Sequence, residues 1–416
     1  MTRAQSLPGD PLIRALVQQA RRSQQAQRGT VSRRSVLAGA AGMAGVGALL
    51  AACGTGGTPA GSPLSAPPAK DVSASDKSVN FANWTLYLDY DDETQSYPSL
   101  DAFQEKTGIT VNYAEDIEDN DTYFGKVQGQ LVNGQDIGQD IVVFTDWMAA
   151  RMIRLGYTQE LDLANIPNAT NLLATLKDVD FDPGRKHSLT WQSGFGGLAW
   201  SKDKVPGGLA SVSDLWKPEY KGRVEVLSEM RDTIGLIMSD QGVDISGDWG
   251  EDEFNAALAV VEEQIRSGQI RQVKGNSYKE DLISGDAIAV IGWSGDITQL
   301  NFENDDRFSF LLPEAGGTLW SDNMQISIGA TRKANAEELM NYYYDPAVAA
   351  QVAAYVNYIC PVEGARDAMA DIDPSLVDNP FIFPDEATLA KAHVFRSLTA
   401  EEETKYNGAY LTAIGA

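Results

Sequence analysis

Asp214-Leu-Trp-Lys-Pro-Glu-Tyr-Lys-Gly-Arg-Val-Glu-Val-Leu-Ser-Glu-Met-Arg-Asp232 passes from a polar segment with a helix-like start, through a turn marked by Pro218 and Gly222, into a short strand, Val224–Leu227. Two carboxylates, Glu229 and Asp232, follow the strand, and Thr233 opens a helix-compatible run. Carboxylates just beyond the C-terminal end of a strand stand where open α/β sheets bind ligands.

The flanking chain carries the same pattern. On the N-terminal side, Val79–Trp84 reads as a strand running on into Thr85-Leu86-Tyr87. A helix over 99–106 ends at Gly108, and a strand at 109–113 and a helix at 123–132 follow. Asp140–Phe144 is short, continuous and apolar, the mark of a buried parallel strand, and a helix over 145–155 stops at Gly156. This β-α-β-α-β-α order predicts a mostly parallel sheet covered by helices. A Gly-rich strand, 193–201, carries the chain into a second lobe with a helix at 253–267, a buried strand at 287–293 and short helices at 278–283 and 295–301. Phe308–Ala330 reads as a return crossing with a bend at Gly316-Gly317, and 334–358 as helices.

Formal net charge is −25 over 416 residues. Residues 1–52 hold seven of the basic residues and one acidic residue, so the remainder carries 26 basic and 57 acidic side chains, a charge of −31. Such a surface repels nucleic acid and anionic lipid and concentrates small cations; it also serves plain solubility. Only two histidines, His187 and His393, and two cysteines, Cys53 and Cys360, are present. That scarcity disfavours Ser-His and Cys-His catalysis and Cys/His zinc sites, and no phosphate-binding glycine fingerprint stands in a strand–helix setting. The reading includes no metal and no cofactor.

The N-terminus reads as an address. Arg33-Arg34 precede an Ala/Gly-rich apolar run to Ala52, the form of a twin-arginine export signal, and Leu50-Ala-Ala-Cys53 is the form of a lipobox whose cysteine is lipidated. Residues 1–52 are thus expected to be a signal peptide, and 53–77, rich in Gly, Pro, Ser and Ala, a lipid-bearing flexible tether. The body divides into a first α/β lobe (78–190 with 323–358), a second (191–322) and a C-terminal helical segment (359–416) bridging them.

Aromatic and acidic side chains recur at strand ends: Trp84-Thr-Leu-Tyr87, Thr145-Asp-Trp147, Glu229 with Asp232, Trp293-Ser-Gly-Asp296, Trp320-Ser-Asp322, and Tyr358 after a helix. A primary ammonium needs carboxylate acceptors in a dry cleft, and its methylenes need apolar walls that aromatic faces also supply with cation–π attraction. Each residue has a plainer reading. A strand-end Trp can be core, Asp232 and Asp146 helix-start residues, and Asp322 an Asx-turn residue.

The Asp214–Asp232 pattern resembles the spermidine/putrescine-binding receptors of ABC transporters. So do Lys106-Thr-Gly-Ile-Thr-Val111, Asp140-Ile-Val-Val143, Gly316-Gly-Thr-Leu-Trp-Ser-Asp322 and Asp345-Pro-Ala-Val-Ala349. The resemblance spans nearly the whole body. It implies a two-lobed type II periplasmic-binding-protein fold with a hinged cleft, no enzymatic activity, and delivery of a polyamine to an ABC permease by an exported, lipid-anchored monomer. Trp84, Thr85 and Tyr87 would wall the first lobe. Thr145 stands where the family has a serine and Trp147 where it has a tyrosine. Glu229 and Asp232 would hold an amine end, although the family's usual order is Asp then Glu. Trp293 and Trp320 would flank the methylenes, Asp322 would bind a farther amine, and Tyr358 matches a family tyrosine. Arg396 falls where a neutral amide contacts ligand; a guanidinium there would favour a zwitterion over a polyamine. The remaining class, an exported hydrolase using Glu229 and Asp232, has little support, since such carboxylate pairs flank a substrate from separate elements.

Overall fold

A computed structural model describes Leu64 and residues 66–415. The expected signal peptide, with Arg33 and Arg34, and the lipidation candidate Cys53 lie outside the described residues. Ten strands form one curled sheet: β1 (Ser78–Trp84), β2 (Thr110–Ile117), β3 (Ile141–Thr145), β4 (Ser188–Ser201), β5 (Val224–Leu227), β6 (Ile270–Lys274), β7 (Ala289–Trp293), β8 (Phe308–Leu311), β9 (Gly317–Ile326) and β10 (Ala392–His393). The main order is β2-β1-β3-β9-β4-β7-β5-β6.

The register explains the two lobes. β2, β1 and β3 are mutually parallel, as are β7, β5 and β6, whereas β9 and β4 are antiparallel to each other and to the wing strand each meets. β9 pairs with β3 through residues 322–326, and β4 pairs with β7 through residues 196–200. This antiparallel pair is the crossing between the parallel wings. The C-terminal ends of β1, β3, β5 and β7 converge on the gap between the wings, so side chains at those ends face one another.

Burial selects these elements. Ile141, Val142, Val143 and Phe144 are wholly buried, as a strand sandwiched between helix layers must be. The helix Glu251–Arg266 starts on three acids that complement its N-terminal dipole, and the Glu253 carboxylate accepts from the Gly250 amide. It buries Phe254, Ala257, Leu258 and Val261 on one face. The C-terminal helix Ala400–Ile414 touches both wings: Glu403 pairs with Arg151 and Arg154, while the Tyr410 hydroxyl donates to the Leu227 carbonyl. No helix among the described residues is long and apolar enough to cross a membrane.

Around the first wing and the crossing, the structure refines the sequence reading. The expected tether is laid against the first wing from Leu64 onward. The Leu64 amide donates to Leu155, that of Ala69 to Ile328 and that of Val72 to Thr331, and the Leu64 side chain packs against the hydrophobic core. β1 stops at Trp84, since Leu86 adopts φ of 60° and turns the chain into the gap. The return crossing is two strands, β8 and β9, divided by Gly316 at φ of 113°.

Candidate functional site

The converging strand ends enclose a cavity of about 570 Å3, mouth included. Ten of the twelve ligand candidates line it: Trp84, Thr85 and Tyr87 after β1, Thr145 at the end of β3, Glu229 and Asp232 after β5, Trp293 at the end of β7, Trp320 and Asp322 within β9, and Tyr358. Trp147 and Arg396 line instead an adjoining, larger chamber that shares Thr145, Glu229, Asp232 and Trp320 with the first.

Aromatic rings form a continuous wall. Trp293 meets Trp320 edge-on at 6.3 Å between centroids, Trp320 meets Tyr358 at 5.4 Å, and Tyr358 meets Tyr87 at 5.4 Å. Glycines opposite them make this possible. Gly194 pairs with Trp320 and Gly196 with Trp293 in the sheet register. A methyl group on Gly194 would stand 2.5 Å from the Trp320 ring, and one on Gly295 would stand 2.5 Å from Tyr358. Gly295→Ala must therefore push Tyr358 toward the cavity and strain its hydrogen bond to Asp296. We expect it to weaken ligand binding at least tenfold and to cost about 1–3 kcal/mol of stability, as overpacking does; titration and a thermal melt on the same variant check this.

The carboxylates are held by neutral donors. Asp232, in the first turn of the helix Met230–Asp240, accepts from Trp293 Nε1 at 2.7 Å and from the Thr318 hydroxyl. Asp322 accepts from Thr145 Oγ1 at 2.7 Å, and the Tyr87 hydroxyl faces it with no other partner among the described residues. Glu229, the N-cap of that helix, accepts from Trp147 Nε1 at 3.2 Å and Asn120 Nδ2 at 3.3 Å. Asn120 also donates to Thr145 Oγ1 at 2.9 Å, so a chain of bonds from Asp322 through Thr145 and Asn120 to Glu229 spans both wings. Ser228 Oγ to Asp119 at 2.9 Å is a second bridge.

Burial strongly penalises the ionised forms. It pushes Asp322 up to about 7, with Asp146 and Asp232 adding repulsion against the stabilising bond from Thr145 and the nearby Tyr87 hydroxyl. It pushes Glu229 up to about 8, against the favourable field of Arg231 and with repulsion from Asp232, Asp119 and Asp121. Asp232 is raised for the same reason, despite its hydrogen bonds from Thr318 and Trp293. A cavity with such groups is charged only at the expense of desolvation, and an entering cation would relieve it.

Arg396 is already engaged. Its guanidinium bonds Glu402 Oε1 at 2.7 Å and the Trp249 carbonyl at 3.0 Å, and it stacks on the Trp249 ring at 4.1 Å. Its charge is thereby spent within the C-terminal segment rather than at the acidic cavity. Trp147 reaches the site only through Glu229, its ring lying between Arg231 and Arg151. The sequence reading did not select Asn120, Ser228, Asn276, Glu118 or Asp119, and it noted Asp296 without giving it a ligand role; all six also line the cavity. Asp296 was visible, three residues after Trp293 at a helix start; Asn120 gave no comparable signal. Among the described residues no group of three or more His, Cys, Asp or Glu side chains is placed to hold a metal ion.

A family profile described as bacterial extracellular solute-binding protein matches residues 99–381. The chain is 26% identical over 312 residues to the spermidine/putrescine-binding periplasmic protein of Escherichia coli K12, covering 74% of this chain and 84% of that one. It is 26% identical over 358 residues to the putrescine/agmatine-binding protein of Pseudomonas aeruginosa, covering 82% and 92%. The structure of the spermidine/putrescine ABC transporter substrate-binding protein PotD from Streptococcus pneumoniae superposes with a TM-score of 0.65 at 23% identity, covering 81% of this chain and 98% of that one. That likeness establishes the type II two-lobed fold.

Proposed function

Because this chain belongs to the bacterial extracellular solute-binding proteins, and within them to the polyamine-binding family, which bind solutes and are not enzymes, we propose that it captures a linear polyamine, spermidine or putrescine, between its lobes and delivers it to an ABC permease. The observation that carries this reading is a pair of buried carboxylates, Asp232 and Asp322, that make no ion pair among the described residues yet face an aromatic-walled cavity. A buried anion without a counterion is costly, and a ligand ammonium is the partner it lacks. Methylenes would lie on Trp293, Trp320, Tyr358 and Tyr87, and Trp84 and Thr85 would complete the lining from the first lobe.

The bonds from Asn120 and Ser228 across the gap would stabilise the closed state, which the ligand favours by touching both wings at once. The twin-arginine pair Arg33-Arg34 and a lipidated Cys53 would place the receptor, as a monomer, on the outer face of the cytoplasmic membrane. The docked strap from Leu64 would hold the first lobe close to that anchor. A zwitterion held by Arg396 is the weaker reading, since that guanidinium is paired with Glu402.

Calorimetric titration of residues 54–416 with putrescine, spermidine, spermine and γ-aminobutyrate tests the proposal. Saturable heat is expected with a polyamine and none with γ-aminobutyrate; the reverse result would overturn it.

A further inference from the structure

Four carboxylates reach the cavity below its rim: Glu229, Asp232, Asp296 and Asp322. They are not equivalent. Lys279 Nζ donates to Asp296 Oδ1 at 3.0 Å, and the two side chains are only 8% and 5% exposed. Lys279 comes from the helix Tyr278–Ser284 and reaches Asp296 from behind the cavity wall, without lining the cavity itself. The rest of Asp296 is also taken, since Tyr358 donates to Oδ1 at 3.0 Å and Tyr278 to Oδ2 at 2.8 Å. Glu229 is partly offset, with Arg231 Nη1 at 3.9 Å, beyond hydrogen-bond reach. Among the described residues, Asp232 and Asp322 have neutral donors alone.

With all four carboxylates ionised, as when a cation occupies the site, the two fixed cations leave this set two negative charges. At the rim, Glu118 is exposed, and Asp119 is occupied as the cap of the helix Asn120–Leu131 and as the acceptor from Ser228. Water screens both.

We propose that Lys279 is a built-in ammonium that fills the Asp296 end of the cation site and makes the cavity select a diamine over a triamine. This rests on the polyamine reading above. A third ligand ammonium approaching Asp296 would find both of its oxygens already accepting and would meet the Lys279 charge through a medium that screens poorly. Discrimination by such a repulsive element is a general route to specificity. A two-ammonium ligand avoids it by spanning Asp322 and the Asp232–Glu229 end.

The test is titration of wild type, Lys279→Met and the Lys279→Met/Asp296→Asn double variant with putrescine and with spermidine, each protein checked for fold by circular dichroism. Wild type is expected to bind putrescine at least tenfold tighter than spermidine. Lys279→Met should move that ratio at least tenfold toward spermidine by leaving the Asp296 charge without its cation, and the double variant should return it to the wild-type value. Lys279→Gln keeps a donor on Asp296 without the charge; it carries the same expectation and serves if the methionine variant does not fold. A wild-type preference for spermidine, or a ratio unmoved by the folded lysine variants, overturns the role of Lys279 while leaving a polyamine receptor in place. Silence of wild type toward both amines overturns the receptor reading and this inference together.

Discussion

Asp322→Asn is expected to lower polyamine affinity at least a hundredfold while leaving the fold intact. Asp322 sits in the middle of β9, paired in register with Thr145 of β3, so backbone bonds on both sides fix its position whatever its side chain. Asparagine keeps the size and can still accept from Thr145 Oγ1. It removes the charge and turns one carboxylate oxygen into an N–H donor aimed at the ligand. A charged hydrogen bond contributes roughly 1.5–3 kcal/mol, and each 1.4 kcal/mol is tenfold in affinity. Loss of the bond together with an opposed donor gives the expected hundredfold. Stability should move the other way, because the unligated protein no longer buries a carboxylate whose ionised form is disfavoured. The combination separates a ligand-binding role from an Asx-turn role, for which a substitution would destabilise the crossing and leave affinity to follow stability. Calorimetric titration with putrescine and spermidine, with a thermal melt of the unligated variant, reads both; an affinity within threefold of wild type would sink the assignment.

What was legible in the sequence, and what was not, follows from how each feature is stabilised. β3 and β7 are read from short apolar runs because both of their faces are buried, and the helix Glu251–Arg266 from a one-sided apolar stripe with acids at its start. β6 escaped because it is an edge strand in which only Ile270 is fully buried, so Arg271, Gln272 and Lys274 break the pattern. β4 was read short by five residues, since Ser188 and Thr190 interrupt the apolar pattern and are buried through hydrogen bonds with Arg185 and Asp182 rather than by hydrophobicity. The site divides in the same way. Trp84, Trp293, Trp320 and Asp322 lie in or next to recognisable strands, and their chemistry marks them. Asn120 matters through two hydrogen bonds to groups 25 and 109 residues away, which no local pattern encodes. Arg396 pointed toward a ligand carboxylate only while its neighbours were unknown; Glu402, six residues on at the start of the last helix, already holds it.

Polyamine affinity should rise steeply with pH between 6 and 8.5. In the unligated protein burial pushes Asp322 up to about 7 and Glu229 up to about 8, so at pH 6 these two groups are largely protonated and cannot serve an ammonium; burial raises Asp232 as well. The ligand amines, with pKa values near that of lysine at about 10.4, stay charged over the same range. Binding must therefore expel protons, and linkage makes the affinity climb as they are lost. Asp322 alone accounts for about tenfold between pH 6 and 8.5, and a requirement for ionised Glu229 adds a factor approaching a hundred. Other charges facing these groups are Arg231, Asp119, Asp121 and Asp146, with the Lys279–Asp296 pair across the cavity; Arg231 is the one whose removal would steepen the Glu229 contribution. Stability has the opposite sign without ligand. Carboxylates whose folded pKa lies above the unfolded value stabilise the fold fully below about pH 4, and that contribution is lost as pH rises through 7 and 8. The unligated Tm should thus fall from pH 6 to 8.5 while the shift produced by saturating putrescine or spermidine grows. Titration in two buffers of different ionisation enthalpy counts the protons released: one or more is expected at pH 6.5 and close to none at pH 9. An affinity flat across this range, with no proton release, would mean that the ligand ammonium does not meet Asp322 or Glu229 at all.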